Sequence, residues 1–214
     1  MNEKVLSFFL DMANDPNSTQ TTLKMSKNSD FTSLDAAFIL KFANKKSSLL
    51  DLGSGTGLII NKIYDKVGKI TAVEPLKKFT DYIVRSNNIK IINETFDEFD
   101  TNETFDVITL FGVMNYFNQQ EAMVVYKKFL KNLKADGALI IKNQFGVKET
   151  VTISGFSQEL QKDYFAQYRF IDDEEKLLRE CGYKHTQRFD IYPPECNRWD
   201  NTHFYAIVAQ IYNG

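Results

Sequence analysis

The segment LLDLGSGTG at residues 49–57 carries the strongest chemical signal in the chain. It follows an apolar stretch typical of a strand and opens a stretch typical of a helix, which is the context of a ligand-binding turn. Gly53, Gly55 and Gly57 have no Cβ, so the backbone can bend tightly and a ligand can approach it closely. Free N–H groups at the start of the following helix would face that ligand.

Two details of this turn indicate the kind of ligand. The spacing of its glycines is GxGxG, whereas nicotinamide- and flavin-binding turns have GxGxxG. Asp51 lies two residues before Gly53, at the end of the strand. A carboxylate is unfavourable beside a pyrophosphate and favourable beside a positive group such as an amino group or a sulfonium. The turn therefore favours a cationic ligand.

Alternating strands and helices must position this turn. Short, continuously apolar stretches predict buried parallel strands at 48–52, 69–73, 89–92, 105–110 and 138–142. Helical periodicity predicts helices between most of them, at 58–67, 76–86 and 118–133. Asn118 and Glu121 give the last helix a start that resembles a capping box. Two β-rich segments without a helix between them close the chain, at 183–192 and 202–212. This order predicts an α/β, doubly wound, mostly parallel seven-stranded sheet, Rossmann-like, with an antiparallel C-terminal edge strand.

Composition excludes several other classes of protein. The 214 residues carry a net charge of -2 and no block of Lys and Arg, which argues against a nucleic-acid partner. Cys181 and Cys196 form no CxxC pair, so we expect no metal site. The chain has no signal peptide and no apolar stretch long enough to span a membrane, which predicts a cytoplasmic protein without a membrane partner. The oligomeric state is left open.

The segment at 49–57 closely resembles motif I of the class I S-adenosylmethionine-dependent methyltransferases. In that family the glycine turn packs against the methionine and ribose end of the cofactor, and the product is S-adenosylhomocysteine. Glu74, in AVEP, ends the second predicted strand 21 residues after Gly53 and matches the acidic residue that hydrogen-bonds the ribose hydroxyls.

The resemblance continues to residue 143. INETFDEF at 92–99 is similar to the segment that borders the adenine, although Thr95 stands where many relatives have Asp. FDVITLFGVMNYF at 105–117 resembles the fourth-strand motif that lines the site of methyl transfer, and GALIIKN at 137–143 resembles the fifth strand. The resemblance implies a cofactor site formed by Asp51, Gly53, Ser54, Gly55, Gly57, Glu74, Pro75, Thr95, Phe96, Asp97, Phe111 and Gly112.

We interpret residues 1–214 as a single methyltransferase domain with three segments. Residues 1–45 form a helical N-terminal cap, with helices at 3–13 and 32–44 and a lid over the cofactor at 24–31. Residues 46–143 form the cofactor-binding core. Residues 144–214 hold an acceptor-side segment, which includes a loop over the acceptor site at 142–156 and a helix at 172–180, and the closing strand pair.

Methyl transfer from a sulfonium is an in-line displacement that depends mainly on alignment, to which a general base is added when the acceptor is a hydroxyl. His203 opens the last strand and is our first choice of base, with Tyr116 and Asp200 as alternatives. His185 is expected to be structural. Polar and aromatic side chains on the acceptor side predict a substrate-binding set: Asn115, Asn143, Gln144, Lys148, Tyr168, Arg169 and Trp199.

These observations predict an enzyme that methylates a small molecule, with O-methylation favoured over N-methylation. The region around TVTISGF at 150–156 and YRFID at 168–172 resembles bacterial enzymes that decorate polysaccharide or other surface-glycan precursors, and this resemblance implies a sugar or phosphorylated glycan precursor as the acceptor. Two alternatives remain at this stage. One is a nicotinamide-dependent oxidoreductase on the same type of sheet. The other is a protein that binds S-adenosylmethionine without catalysis, because a fold alone does not determine function.

Overall fold

The computed structural model describes residues 3–15, 19–20, 31–157, 162–197 and 199–212. Its central feature is a seven-stranded sheet with the strand order β3-β2-β1-β4-β5-β9-β8. The first five strands are parallel, and β9 runs antiparallel to both of its neighbours. The strands are β1 Ser48–Leu52, β2 Lys69–Val73, β3 Ile89–Ile92, β4 Phe105–Phe111, β5 Leu133–Gly146, β6 Val151–Ser157, β7 Lys162–Tyr168, β8 His185–Asp190 and β9 Thr202–Gln210. The predicted fold class is confirmed.

Six α-helices flank the sheet in the described part of the chain: α1 Glu3–Asn14, α2 Thr32–Ile39, α3 Ile60–Ile63, α4 Lys77–Thr80, α5 Gln119–Leu130 and α6 Ile171–Glu180. The capping box predicted for α5 is present, because Asn118 accepts the Glu121 N–H and Glu121 accepts the Asn118 N–H. None of these helices is long and apolar enough to cross a membrane. The predicted lid at 24–31 lies outside the described residues, apart from Phe31.

The two faces of the sheet bury separate apolar clusters. Side chains alternate between the faces of a strand, so Leu139, Ile141 and Phe145 of β5 face α1, α5 and α6. Ala138 and Ile140 face α2 and α3 instead. Because both faces are covered, strands β1, β2 and β4 are apolar along most of their length, as the sequence predicts.

Three predicted helices are shorter than expected. The helices expected at 58–67 and 76–86 are only one turn long, because the backbone beyond Ile63 and Thr80 continues partly through tighter turns of the i→i−3 type. The helix expected at 32–44 likewise ends at Ile39.

The loop expected at 142–156 is largely strand. β5 continues to Gly146, and β6 and β7 then form an antiparallel two-stranded sheet of their own. A strand with one buried face buries every second side chain, and this period of two shows in the sequence only where the buried residues are also the apolar ones. In β7 that period is carried by Tyr164, Ala166 and Tyr168, which are buried, and the residues between them are polar or partly exposed.

Candidate active site

The glycine turn after β1 is held between β2 and the segment after β4. The N–H groups of Gly53 and Ser54 both donate to the Val73 carbonyl, at 2.8 and 3.1 Å. Gly53 has a φ of 76°. A Cβ at this position would lie 2.5 Å from Cγ1 of Val113. Both the backbone conformation and the close approach therefore require glycine here.

Two other glycines border open space. Gly55 and Gly112 have φ values of 52° and 72°, and a Cβ at either position would meet no atom of the described residues within 4 Å. Gly55 follows β1 and Gly112 follows β4, and these strands are neighbours in the sheet. The carboxyl ends of neighbouring parallel strands are where open α/β sheets bind ligands. A ligand could therefore approach the backbone closely at both glycines.

Glu74 connects this turn to the end of β2. Its carboxylate accepts the N–H of Gly55 and the N–H of Leu76, each at 3.1 Å. Glu74 is only 7% exposed. Burial raises the pKa of Glu74 to about 7, against the two backbone hydrogen bonds, which lower it. An acidic group at this position could bind the hydroxyls of a ribose, as the sequence predicts.

Asp51 is a second buried carboxyl group at the same edge of the sheet. It accepts a hydrogen bond of 2.6 Å from the Thr109 hydroxyl on β4. Burial raises the pKa of Asp51 to about 6, and the charge of Asp51 adds to the rise in the pKa of Glu74. Both carboxylates receive their hydrogen bonds from neutral groups. A ligand with positive charge would compensate them, which fits an amino group or a sulfonium and not a pyrophosphate.

The loop after β3 reaches the glycine turn through an aromatic ring. Phe96 is buried and lies stacked on Phe117, with ring centroids 5.7 Å apart, and its Cζ would lie 3.4 Å from a Cβ at Gly53. Lys128 of α5 donates to the carbonyls of Phe96 and Asp97, at 2.7 and 3.0 Å, and so holds the loop in place.

The geometry does not support Thr95 as a cofactor contact. Both its N–H and its hydroxyl donate to the Glu98 carboxylate, at 3.0 and 2.9 Å, so they close a local turn. Asp97 is exposed in the same loop, and Pro75 is partly buried after Glu74. Ser54 has a buried hydroxyl with no partner among the described residues. The roles of these three residues stay predictions.

His203, the first choice of base, is buried at the start of β9 and contacts Asp190 on β8. Its Nε2 lies 2.8 Å from Oδ1 of Asp190, and its ring packs edge-on against Tyr205 at 4.7 Å between centroids. β9 runs antiparallel to β5, so His203 lies at the carboxyl end of the parallel strands, opposite Phe145. A carboxylate that orients an imidazole is a common arrangement for a general base.

The alternative bases differ in their surroundings. Asp200 is exposed in the loop before β9. Tyr116 is buried in a 3₁₀ turn, Met114–Tyr116, and packs edge-on against Phe9 of α1 at 5.3 Å. Asn115 is buried in the same turn. His185, expected to be structural, is exposed on β8. His203 has a carboxylate partner, Asp190, on the adjacent strand.

The structure assigns Arg169 to the protein framework, which corrects its prediction as a substrate ligand. Arg169 is 5% exposed, and its guanidinium donates to Glu174 through Nε and Nη2, at 2.5 and 2.8 Å. Nη1 donates to the carbonyls of Met114 and Phe117. With these donors already bound, little of the guanidinium remains for an anionic substrate. Arg169 instead fixes the turn that carries Asn115 and Tyr116.

The other predicted substrate residues lie on separate elements: Tyr168 on β7, Asn143 and Gln144 on β5, and Lys148 and Trp199 in loops. Tyr168 is buried, and its hydroxyl lies 3.1 Å from both Trp199 Nε1 and the Tyr164 hydroxyl. Gln144 donates through Nε2 to Thr202. Asn143, one residue earlier, points to the opposite face from Gln144. Lys148 is exposed beyond the end of β5.

A buried ionic cluster on the other face was missed from the sequence. Lys142 of β5 donates to Asp35 of α2 at 3.1 Å and to the Tyr192 hydroxyl at 3.1 Å, and Tyr192 donates to Asp35 at 2.7 Å. The Lys142 ammonium also lies 5.3 Å from the centre of the Phe111 ring. The one available signal was a lysine in the apolar strand GALIIKN. Its partners could not be found, because Asp35 is 107 residues away.

No group of three or more His, Cys, Asp or Glu side chains within the described ranges is arranged to hold a metal ion.

Comparison with known proteins now identifies the family. A family model described as a methyltransferase domain matches residues 31–190, which is most of the chain. The chain belongs to this methyltransferase family. The expected resemblance to class I S-adenosylmethionine-dependent methyltransferases is thereby confirmed at the level of family and fold, and the oxidoreductase alternative loses its support. A comparison with curated proteins gives no match.

Solved structures share the fold of this methyltransferase at low sequence identity. A 1,6-didemethyltoxoflavin-N1-methyltransferase of Burkholderia thailandensis is 14% identical, with a TM-score of 0.71 over 100% of this chain and 92% of its own. A SAM-dependent methyltransferase of Leishmania major is 15% identical, with a TM-score of 0.69 over 95% of this chain and 81% of its own. One from Clostridium acetobutylicum is 16% identical, with a TM-score of 0.62 over 87% and 94%.

Proposed function

We propose that this methyltransferase transfers a methyl group from S-adenosylmethionine to a small-molecule acceptor. The observation that carries the proposal is the pair of buried carboxyl groups, Asp51 and Glu74, beside the open space at Gly55. Two desolvated carboxyl groups with raised pKa values favour a cationic ligand. S-adenosylmethionine has an amino group and a sulfonium, and its ribose offers two hydroxyls to Glu74.

The residues of the turn would each hold one part of the cofactor. Glu74 would accept hydrogen bonds from the ribose, and Asp51 would compensate the positive charge. Gly55 would let the ligand approach the backbone, whereas Gly53 and Gly57 let the turn pack closely against Val113 and Ile83. Phe96 and Asp97 border the adenine. When bound, the cofactor supplies an electrophilic methyl group. Phe111 and Gly112, at the end of β4, line the position where that methyl group meets the acceptor.

The acceptor is proposed to be a small molecule that bears a hydroxyl group. The structure of the Burkholderia thailandensis methyltransferase contains 1,6-didemethyltoxoflavin, so the fold accommodates an acceptor of that size. O-methylation is favoured because His203, oriented by Asp190, can remove a hydroxyl proton. A sugar fits this chemistry. A phosphorylated acceptor has less support, because the cationic groups of Arg169 and Lys142 are already paired with carboxylates.

Calorimetric titration of the purified protein with S-adenosylmethionine and S-adenosylhomocysteine tests the proposal. We expect micromolar binding to the wild type and a loss of at least tenfold in affinity for Glu74→Gln. Glu98→Gln is the matched control, because Glu98 is exposed and hydrogen-bonds only locally to Thr95. Absence of binding to wild type from which bound cofactor has been removed by unfolding and refolding would reject the proposal.

The proposed base has its own test. Once an acceptor is found, kcat is measured with S-adenosylmethionine saturating at every pH, so that the ionisation of Asp51 and Glu74 does not contribute to the profile. His203→Gln should then lower kcat at neutral pH and remove the acidic limb of the pH–rate profile, without changing cofactor affinity. Asp190→Asn should lower kcat less, because Asp190 acts through His203. An unchanged pH profile in His203→Gln would exclude this histidine as the base and direct attention to Tyr116 and Asp200.

A further inference from the structure

Asn143 occupies an unusual position near the end of β5. Residues of a strand alternate between faces, so Asn143 shares a face with Ile141 and Phe145, which both belong to the apolar cluster under α1 and α5. It lies directly after Lys142, whose carbonyl accepts the N–H of Gly112 at 2.7 Å. On the other side it is paired with Tyr205 of β9. Asn143 is therefore placed between the open space at Gly112 and an aromatic ring.

The side-chain amide of Asn143 has no partner in the part of the chain that the structure describes. The residue is 2% exposed, and neither Oδ1 nor Nδ2 has a hydrogen bond among the described residues. A comparison with Asn132 makes the difference clear. Asn132 is also 2% exposed, but its Nδ2 donates to the carbonyls of Thr101 and Glu103, at 2.7 and 2.9 Å. Buried polar groups in folded proteins are almost always paired, so an unpaired amide at a ligand-binding edge indicates a ligand.

The elements around this face are rich in aromatic side chains. The 3₁₀ turn Met114–Tyr116 and strand β7 both pack against β5. They bring Tyr116, Tyr164 and Tyr168 to the same cluster. Such rings offer flat apolar surfaces against which a ring of the acceptor can lie. The amide of Asn143 is a polar group on this face that could orient such a ring.

We propose that Asn143 recognises the methyl acceptor through two simultaneous hydrogen bonds, one donated by Nδ2 and one accepted by Oδ1. This inference rests on the proposed methyltransferase function and specifies its substrate class. A carboxamide that pairs in this way requires a hydrogen-bond acceptor and a donor on neighbouring atoms of the ligand. The methyl acceptor is therefore a ring that presents such a pair.

Two kinds of ring present a neighbouring donor and acceptor. A sugar does so with two vicinal hydroxyls, and a heterocycle does so with the N–H and C=O of a lactam edge. Both can stack on tyrosine rings. Both rings share a neighbouring donor and acceptor, and probes of each kind can distinguish a sugar from a lactam.

The first measurement concerns stability without any acceptor. Asn143→Leu replaces an unpaired polar group by an apolar one of similar size, so it should raise the Tm of the free protein by about 2–4 °C. Asn132→Leu is the matched control and should lower Tm, because it leaves two carbonyls without a donor. A Tm lowered equally by both substitutions would show that Asn143 has a structural role and would overturn the proposal.

The second measurement uses named probes in the presence of saturating S-adenosylhomocysteine. Saturation-transfer NMR compares methyl glucopyranoside with its fully O-methylated form, and 2-pyridone with 1-methyl-2-pyridone. In each pair the second compound lacks the donor. We expect one unblocked probe to bind the wild type, its blocked form to bind at least fivefold more weakly, and the difference to disappear in Asn143→Leu but not in Asn132→Leu. The pair of probes whose two members differ in affinity shows whether the acceptor is a sugar or a lactam.

The two proposals can fail separately. Binding of S-adenosylhomocysteine to Asn143→Leu with unchanged affinity, together with no binding of either unblocked probe to the wild type, would overturn the role of Asn143 and leave the cofactor proposal standing. Equal binding of blocked and unblocked probes would also overturn it. Absence of S-adenosylhomocysteine binding to the wild type would reject the proposed function itself.

Discussion

Two regions of this methyltransferase bury charged groups in opposite ways. Between β7, α5 and α6, the Arg169 guanidinium is paired with Glu174, and the Tyr126 hydroxyl donates to the same carboxylate. At the ends of β1 and β2, Asp51 and Glu74 are like charges with raised pKa values and neutral hydrogen-bond donors.

The difference shows how burial of charge separates framework from ligand site. A buried ion pair whose hydrogen bonds are complete needs nothing further, and it fixes the elements that carry it. Two buried carboxyl groups without a cation are unfavourable in the free protein, and a cationic ligand relieves that cost. The pairing of a charge, and not its burial alone, therefore distinguishes a structural residue from a binding residue in this molecule.

Removal of Arg169 should give the largest effect. Arg169→Met leaves the carboxylate of Glu174 buried without its partner, and we expect the free energy of unfolding to fall by about 3–5 kcal/mol in urea denaturation. Arg188→Met is the control, because Arg188 pairs with Asp172 and Glu175 nearer the surface and should cost less than about 1 kcal/mol. Equal losses in the free energy of unfolding for the two variants would contradict the structural role assigned to the buried Arg169–Glu174 pair.

Lys142 provides the same test on the other face of the sheet. Lys142→Met leaves Asp35 buried beside Tyr192 and should lower the free energy of unfolding by about 3 kcal/mol. Addition of Asp35→Asn should restore part of this loss, because the uncompensated charge is then removed. A double variant as unstable as the sum of the two single variants would show that the pair is not coupled.

Removal of the Asp51 carboxylate should stabilise the protein, whereas removal of Arg169 or Lys142 should destabilise it. Its pKa is raised from 3.8 to about 6, so the folded protein holds this proton more tightly than the unfolded chain, and stability is lost as pH rises through this window. Asp51→Asn should therefore stabilise the free protein by about 1–3 kcal/mol at pH 8 and by much less below pH 4. Urea denaturation at both pH values measures the difference.

Asp106 supplies the control of opposite sign. Burial alone would raise its pKa, but hydrogen bonds from Lys134 and Ser48 hold the pKa below its usual value. The stabilisation that Asp106 contributes is fully present above the pKa that Asp106 has in the unfolded chain. It is lost as pH falls through the pKa that Asp106 has in the folded protein. Asp106→Asn should therefore destabilise the protein at pH 8. A stabilising effect there, or a destabilising effect of Asp51→Asn, would contradict the distinction.

The features predicted correctly from the sequence are local ones. The glycine turn, the capping box of α5 and the five parallel strands are encoded within short segments, because turn geometry, caps and buried strands each depend on adjacent residues. The position of Glu74 beside the glycine turn could be predicted because the βαβ unit fixes its distance from the turn, and its role in binding a ribose stays a prediction.

The features that the sequence did not reveal depend on distant partners. Nothing in the sequence around Arg169 distinguishes an arginine that binds a substrate from one that pairs with Glu174. Only the packing of β7 against the turn after β4 decides between these two roles. The partners of Lys142, Asp35 and Tyr192, come from separate parts of the chain. The unpaired state of Asn143 is likewise a property of the assembled sheet, since no local pattern says which amide lacks a partner.

The most direct test of the central claim is the affinity for S-adenosylmethionine as a function of pH. If the cofactor requires both carboxylates ionised, its Kd should be on the order of 10–100-fold weaker at pH 5.5 than at pH 8, with the change centred between pH 6 and 7. Asp51→Asn should bind more weakly at pH 8 and show a shallower dependence. A Kd that is constant across this range in the wild type would contradict the account, because the buried carboxylates would then have no part in binding the positive charge.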